Sequence, residues 1–313
     1  MSSKIFKHYL MVLIKGMAMG AADVVPGVSG GTVAFITGIY EELLNSLKRL
    51  TPMALRLLWQ QGPAAFWSHI NGSFLLALGT GILISLLSLA RLISYLMADF
   101  PVLLWAFFFG LVIASVVYIV RKIAHWTWRE WVAVIIGTAI ALAISMAKPA
   151  QLPAEPWMVF SAGAIAICAM ILPGVSGSFI LLLMGMYSVF LTALKELDLV
   201  LLSSFFGGCI LGLLLFSHFL SWLLNRFHNT TLALLVGFLL GSLNVIWPWK
   251  HTLETFTNRH GEQVALVQEN LLPQAYAQAT GLEAYPILAI VLATVGVCLV
   301  LGLEYLVKPD TCE

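Results

Sequence analysis

Charge is scarce in this chain. Its 16 Lys and Arg and 15 Asp and Glu make up 10% of 313 residues, whereas 60% are hydrophobic. A soluble globular domain carries about 25% charged and roughly 45–50% apolar residues. With a mean hydropathy of +0.96, the composition excludes such a domain and predicts a polytopic helical membrane protein. No basic cluster is present, and a net charge of +1 leaves no footprint for nucleic acid. Cysteine is sparse too: Cys168, Cys209, Cys298 and Cys312 have no C-x-x-C spacing. That excludes the common zinc and thiol redox motifs, and they read as small buried hydrophobes. No metal and no cofactor is expected. A cleavable leader is also missing. The opening "MSSKIFKHYLMVLIKGMAMG" is interrupted by Lys15 and no small-residue cleavage site follows, so it reads as the first helix of the mature protein.

What the chain has is apolar length. Runs near 74–97, 101–120, 131–147, 199–223, 230–247 and 286–307 can each cross a bilayer, which takes roughly 20 residues. Residues 5–48 and 157–195 differ, each holding two helical runs separated by a Pro-Gly break. Residues 51–70 mix Arg56, Trp59, Trp67 and His69 with apolar residues, which predicts an interfacial helix and loop. The polar stretch 248–284 predicts an extramembrane loop with some helix.

The breaks repeat. "DVVPGVSGGT" (23–32) is echoed by "MILPGVSGS" (170–178), so that Pro26, Gly27, Val28, Ser29 and Gly30 match Pro173, Gly174, Val175, Ser176 and Gly177. At the same offset Gly38, Tyr40, Leu44 and Lys48 match Gly185, Tyr187, Leu191 and Lys195. At a second offset, shorter by the 51–70 segment, "RLISYL" (91–96) lies over "HFLSWL" (218–223) and "GLVIASVVYI" (110–119) over "GFLLGSLNVI" (237–246). The expected fold is therefore an all-α integral membrane protein of two repeats, 1–150 and 151–313. Each is a broken helix pair followed by three full spans. Whether a broken pair re-enters or crosses twice, a repeat crosses an odd number of times, so the second is inverted. That is the plan of many transporters, with substrate at discontinuous helices near the midplane.

The positive-inside rule favours re-entrant hairpins. It places Lys4, Lys7, Lys48, Arg49, Arg56, Arg121, Lys122, Arg129, Arg226 and Lys308 on the cytoplasmic side, against Lys148, Lys195, Lys250 and Arg259 outside. Both termini are then cytoplasmic.

A Pro-Gly break followed by a new helix exposes first-turn N–H groups, which with the helix dipole attract anions. Ser29, Thr32, Ser176 and Ser178 add hydroxyl donors, and Gly30, Gly31 and Gly177 allow close approach. Two such tips form a cradle suited to phosphate; the alternative is that the glycines serve only helix packing. Pro26, Gly27, Pro173 and Gly174 are the hinges of the breaks. Asp23 has no acidic mate, Met170 taking its place. It carries a coupling proton or cation, pairs with Lys15 or Arg91, or caps the following helix. Glu41 and Glu42 close the first hairpin near the cytoplasmic face. Arg91 and His218 match between repeats. A cation there clamps phosphate, or Arg91 merely snorkels.

The paired PGVSG segments, "GAADVVPGVSGGTVAFITGIYEEL" above all, resemble the PopT-type polyprenyl-phosphate translocases, a bacterial family formerly catalogued as a domain of unknown function. The resemblance covers nearly the whole chain. It implies a flippase returning undecaprenyl phosphate from the outer to the inner leaflet of the cytoplasmic membrane, in contact with membrane lipids, with Asp23, Ser29, Gly30, Gly31, Thr32, Ser176, Gly177 and Ser178 at the motif positions. Half two departs at Ser178 and Phe179, where half one has Gly31 and Thr32. Two other readings compete: an ion-coupled transporter of a small anion, and an undecaprenyl pyrophosphate phosphatase. The phosphatase has a similar Pro-Gly-x-Ser-Arg-Ser loop, but its arginine position is Gly30 and Gly177 here. Without that cation, hydrolysis loses its main electrostatic stabilisation.

Overall fold

The computed structural model describes every residue except 1, 25–28, 148–149, 151, 258–262 and 308–313. The predicted hinge residues Pro26 and Gly27, and Lys148, Arg259 and Lys308, lie outside the described residues. The long α1 (Ser2–Val24) leads across the first break to a short α2 (Gly30–Ile36) and then α3 (Tyr40–Leu47). Two small helices follow, α4 (Pro52–Gln61) and α5 (Pro63–His69), and then three long ones: α6 (Gly72–Asp99), α7 (Pro101–Lys122) and α8 (Trp128–Ser145). The order then recurs with α9 (Pro156–Ile171), α10 (Gly177–Leu183), α11 (Met186–Glu196), α12 (Leu199–Arg226) and α13 (His228–Ser242). A hairpin of β1 (Lys250–Thr257) and β2 (Gln263–Asn270), the small α14 (Pro273–Thr280) and α15 (Pro286–Val307) complete it.

Local chemistry sets many of these boundaries. Prolines open α4, α5, α7, α9 and α14, where the missing N–H costs nothing. Thr127 and Glu130 form a capping box at the start of α8, and Glu130 also accepts from Thr230 Oγ1 at 2.8 Å, tying that end of α8 to α13. The bend between α2 and α3 falls on Gly38 (φ 73°) and that between α10 and α11 on Gly185 (φ 69°). A side chain rarely adopts this left-handed conformation, and glycine adopts it without penalty. The second bend measures 103°.

By length and apolar composition, α6, α7, α8 and α12 each suffice to cross a membrane, and α9, α13 and part of α15 are shorter apolar helices. Leu83 and Leu87 on α6, Ile135 and Ile136 on α8, and Ile210 and Leu215 on α12 are exposed. Such an outward apolar surface fits lipid as solvent. The chain is thus a mostly helical, multi-pass membrane protein.

Four helix pairs hold it together: α1 with α6, α9 with α12, α7 with α15 and α8 with α13. Each seam runs along glycine. A Cβ on Gly81 would overlap Leu13 O, one on Gly208 Phe160 O, one on Gly110 Ala293 O, and one on Gly237 Val134 O. Small residues let backbones approach where hydrophobic burial no longer drives association. The pairs run parallel. Along α8 and α13, Glu130 meets Thr230, Gly137 meets Gly237, Ala141 meets Gly241 and Ser145 meets Asn244. Gly16 and Gly20 of α1 likewise meet Leu78 and Ile82 of α6 in the same order, and Phe160 and Ala164 of α9 meet Gly208 and Gly212 of α12.

The polar segment adds strand to the expected extramembrane loop with some helix. Besides α14, residues 248–284 hold the antiparallel β1–β2 pair, bulged between Thr252 and Thr255. Lys250 anchors it, lying 4.8 Å from the Trp105 ring centroid and donating to Val245 O. Burial pushes its ammonium from 10.5 down to about 8. Between those values the unfolded chain binds the extra proton, so stability rises with pH there. Hydrogen exchange in β1 and β2, corrected for its intrinsic pH dependence, is expected to slow from about pH 8 to about 10.5. In Lys250→Met it should stay level.

Candidate functional site

The first tip is built around an internal anion. Gly30 N, at the start of α2, donates to Asp23 Oδ1 at 2.7 Å. Gly31 N donates to Ser29 Oγ at 3.1 Å, and Thr32 N to Ser29 O at 2.9 Å. The first-turn donors expected to meet a ligand are therefore engaged within the protein. The carboxylate at the end of α1 takes the place that helix electrostatics prepare for an anion. Asp23 thus acts as a cap, and its pairing with Lys15 or Arg91 is not what forms. Lys15 Nζ instead donates to Thr37 O at 2.8 Å, at the far end of α2, and Arg91 is exposed on α6.

At the second tip Ser176 is the N-cap of α10. Its Oγ lies 3.0 Å from Ser178 Oγ and accepts from Phe179 N at 3.5 Å. Ser176 is buried and Ser178 exposed. Gly174 (φ 84°), the residue after Pro173, lies against the α13 backbone at Phe238 and Leu239.

The two breaks meet. Ser29 Oγ lies 3.3 Å from both Met170 O and Leu172 O, Tyr40 OH donates to Ile171 O at 3.0 Å, and Thr32 Oγ1 accepts from Gly174 N at 3.0 Å. Side chains of the first hairpin thus satisfy backbone groups that the second break frees, the condition for broken helix within a bilayer. Sequence reasoning gives Tyr40 no role at the site. Its match to Tyr187 is the one signal available, and the pair diverges, since Tyr40 is buried and Tyr187 exposed. A Cβ on Gly30 would lie 2.5 Å from Asp23 Oδ2, so a larger residue there has to push the capping carboxylate aside, and one on Gly177 would lie 2.5 Å from the backbone oxygen of Ala166. The arginine of the phosphatase-like loop is blocked by backbone at Gly177 and displaces the cap at Gly30.

The matched hairpins are not packed alike. α3 lies against α12, where Lys48 Nζ donates to Ser221 Oγ at 3.0 Å. The corresponding pair, α11 and α6, makes no comparable contact among the described residues. Toward the Phe100 end of α6, a cavity of about 630 Å³ opens between α1, α2, α6, α7 and α15, with Ala18, Ile36, Leu96, Phe107 and Val300 among its walls. Its surface is almost wholly carbon. Glu41 is exposed in the first turn of α3, while Glu42 accepts from Asn71 Nδ2 at 3.0 Å. His218, exposed on α12 with Nδ1 2.8 Å from Leu214 O, lines a separate pocket beside Lys48 and Arg49.

Two interlocked broken helices inside a multi-pass bundle, beside an apolar cavity, define a membrane protein of the transporter class. The chain belongs to the undecaprenyl phosphate translocase-like family, whose model matches residues 19–264. It is similar to the polyprenyl-phosphate transporter of Vibrio cholerae, with 50% identity over 297 residues, covering 95% of this chain and 96% of the relative. The polyprenyl-phosphate transporter of Staphylococcus aureus is 32% identical over 255 residues, 75% of this chain and 85% of the relative. Both relatives are named as transporters and neither as an enzyme. No solved structure matches the chain.

Proposed function

We propose that this protein is a flippase that carries undecaprenyl phosphate, or a related polyprenyl phosphate, from the outer to the inner leaflet of the bacterial cytoplasmic membrane by alternating access. The unequal packing of the two hairpins carries this reading. Hairpin one closes against α12, while among the described residues α11 makes no matching contact with α6, whose Ile93 and Leu96 line the open apolar cavity. Exchange of these two packings is an alternating-access cycle of inverted repeats. The parallel pairs mean that the chain returns to its starting face between α1 and α6, and again between α9 and α12. The returning helices have only 7 and 8 residues in the first repeat and 7 and 11 in the second, short of the roughly 20 that cross a bilayer, which supports re-entry. The repeats 1–150 and 151–313 are then inverted, with both termini cytoplasmic by the charge rule.

In this mechanism the first prenyl units enter the cavity and the rest of the tail stays in lipid. The phosphate reaches the interlocked tips, where Ser29, Thr32 and Ser176 are buried and Ser178 is exposed. For phosphate to take the α2 donors, the Asp23 carboxylate has to leave Gly30 N. Protonation of Asp23 weakens that bond and supplies a route for a coupling proton. Consumption of the carrier on the cytoplasmic side is the other source of direction.

The test is transbilayer movement of labelled undecaprenyl phosphate in proteoliposomes, with inorganic phosphate release followed alongside. Lipid movement without release is expected. The Ala18→Phe/Ala21→Phe variant, which fills the cavity with two rings, should slow movement at least about ten-fold, the scale of roughly 1.4 kcal/mol. Phosphate release from the pyrophosphate form would make the protein an enzyme, and movement unchanged by the cavity filling would take the tail out of that cavity.

A further inference from the structure

We infer that the pocket between α3, α5 and α12 is a binding site for a phosphate monoester headgroup at the cytoplasmic mouth, the place where the anion is held after it leaves the tips. The identity of the ligand rests on the translocase reading; the anion chemistry of the pocket does not. The pocket holds about 330 Å³ and is lined by Lys48, Arg49, His69, His218, Ser221 and Asn225 among others, with no carboxylate among its lining residues. Its cations are held in place. Lys48 Nζ donates to Ser221 Oγ at 3.0 Å, and an Arg49 guanidinium N–H donates to His69 O at 3.3 Å. Asn225 Nδ2 donates to Ser221 O at 2.7 Å, which fixes the amide beside them. A guanidinium, an ammonium, a hydroxyl and an amide converging on one cleft match the several acceptor oxygens of a phosphate.

The repeat supplies a built-in comparison. At the same two offsets, Lys48, Arg49, Thr51 and His218 fall on Lys195, Glu196, Asp198 and Arg91. In sequence, the outer counterpart therefore carries two acids along with its two cations. One of them, Asp198, is committed to capping α12 through Val200 N at 3.0 Å and Leu201 N at 3.1 Å. The inner pocket keeps two positive charges with no acid in its lining. A fold that is symmetric in backbone is thus asymmetric in charge, and in the sense that holds an anion at the inner face. The pocket also lies at the C-terminal end of α3, on the hairpin that carries the first tip. A headgroup leaving the tips along that hairpin meets it next.

The experiment is isothermal titration of the full chain in detergent micelles with farnesyl monophosphate. Farnesol, inorganic phosphate and phosphatidylglycerol serve as comparison probes. The Lys48→Gln/Arg49→Gln variant is expected to bind farnesyl monophosphate at least about ten-fold more weakly. Its farnesol binding should be unchanged, and the charge-preserving Lys48→Arg/Arg49→Lys exchange should keep most of the affinity. Loss of inorganic phosphate binding in the same variant would also support the site and show that the headgroup alone is recognised. Equal affinity in wild type and the glutamine variant would overturn the inference. So would a loss confined to phosphatidylglycerol, which would make the pocket a general contact for anionic lipid. Lipid movement by the same wild-type preparation separates the two ideas. Movement with no binding defect in the variant removes only the pocket, and a binding defect without wild-type movement removes only the translocase reading.

Discussion

Asp23→Ala is expected to stop lipid movement while leaving the helices in place. The substitution strips Gly30 N of the acceptor that now lies 2.7 Å away. A buried donor left without a partner costs about 1–3 kcal/mol, and the cost falls on the residues that hold the two breaks together. Transport should drop at least about ten-fold, the scale of roughly 1.4 kcal/mol. Asp23→Asn separates cap from charge, because the amide oxygen can still accept from Gly30 N but the side chain no longer ionises. If the Asp23→Asn variant folds and transports, Asp23 acts only as a cap. If it folds like wild type and is silent, the carboxylate itself takes part in the cycle. Proteoliposome transport and thermal unfolding, measured on both variants, distinguish the two.

The second large effect is structural and carries its own control. Gly79 and Gly81 lie two residues apart on α6. A Cβ on Gly79 has nothing within 4 Å, whereas one on Gly81 would overlap Leu13 O and approach Met17 N at 2.9 Å. Gly79→Ala is expected to be neutral or stabilising by about 0.5–1 kcal/mol, the helix advantage of alanine over glycine. Gly81→Ala should destabilise by about 1–3 kcal/mol, because its obstacle is backbone with no flexible end to yield. The yield of monodisperse protein and its unfolding temperature should fall for Gly81→Ala alone. An equal fall for both would remove the close α1–α6 seam from the account of how hairpin one is held.

Much of this architecture is legible in the residues because it is written twice. The two PGVSG segments and their shared offset locate both tips, and Gly38 with Gly185 marks both bends. What lies between the tips is hidden from sequence. The bond from Asp23 to Gly30 spans a break whose geometry no periodicity encodes. The reach of Ser29 to Met170 and Leu172 depends on how the hairpins dock, so hydroxyls that look like ligand donors are spent on the protein. The match of Arg91 with His218 is visible, but sequence alone does not show that His218 joins Lys48 and Arg49 in a cleft. The strands escape sequence reading for another reason. "HTLETFT" and "QVALVQEN" alternate apolar and polar residues only in part, and the bulge near Glu254 breaks the period of two on which strand recognition rests.

The glycine seams also bear on how the chain is made. α7 finds its parallel partner in α15, and α8 finds its partner in α13. Synthesis runs from the N-terminus, so α7 enters the membrane with a glycine face that only the last described helix can cover. A nascent chain halted after α8 would hold α1 against α6 but leave Gly110 and Gly137 facing lipid or the insertion machinery. The first 150 residues are therefore expected to be a poor folding unit alone, and co-expression with residues 151–313 should rescue them. Assembly is therefore completed only when α15 reaches α7, and a ribosome that stops early leaves a chain with open glycine seams.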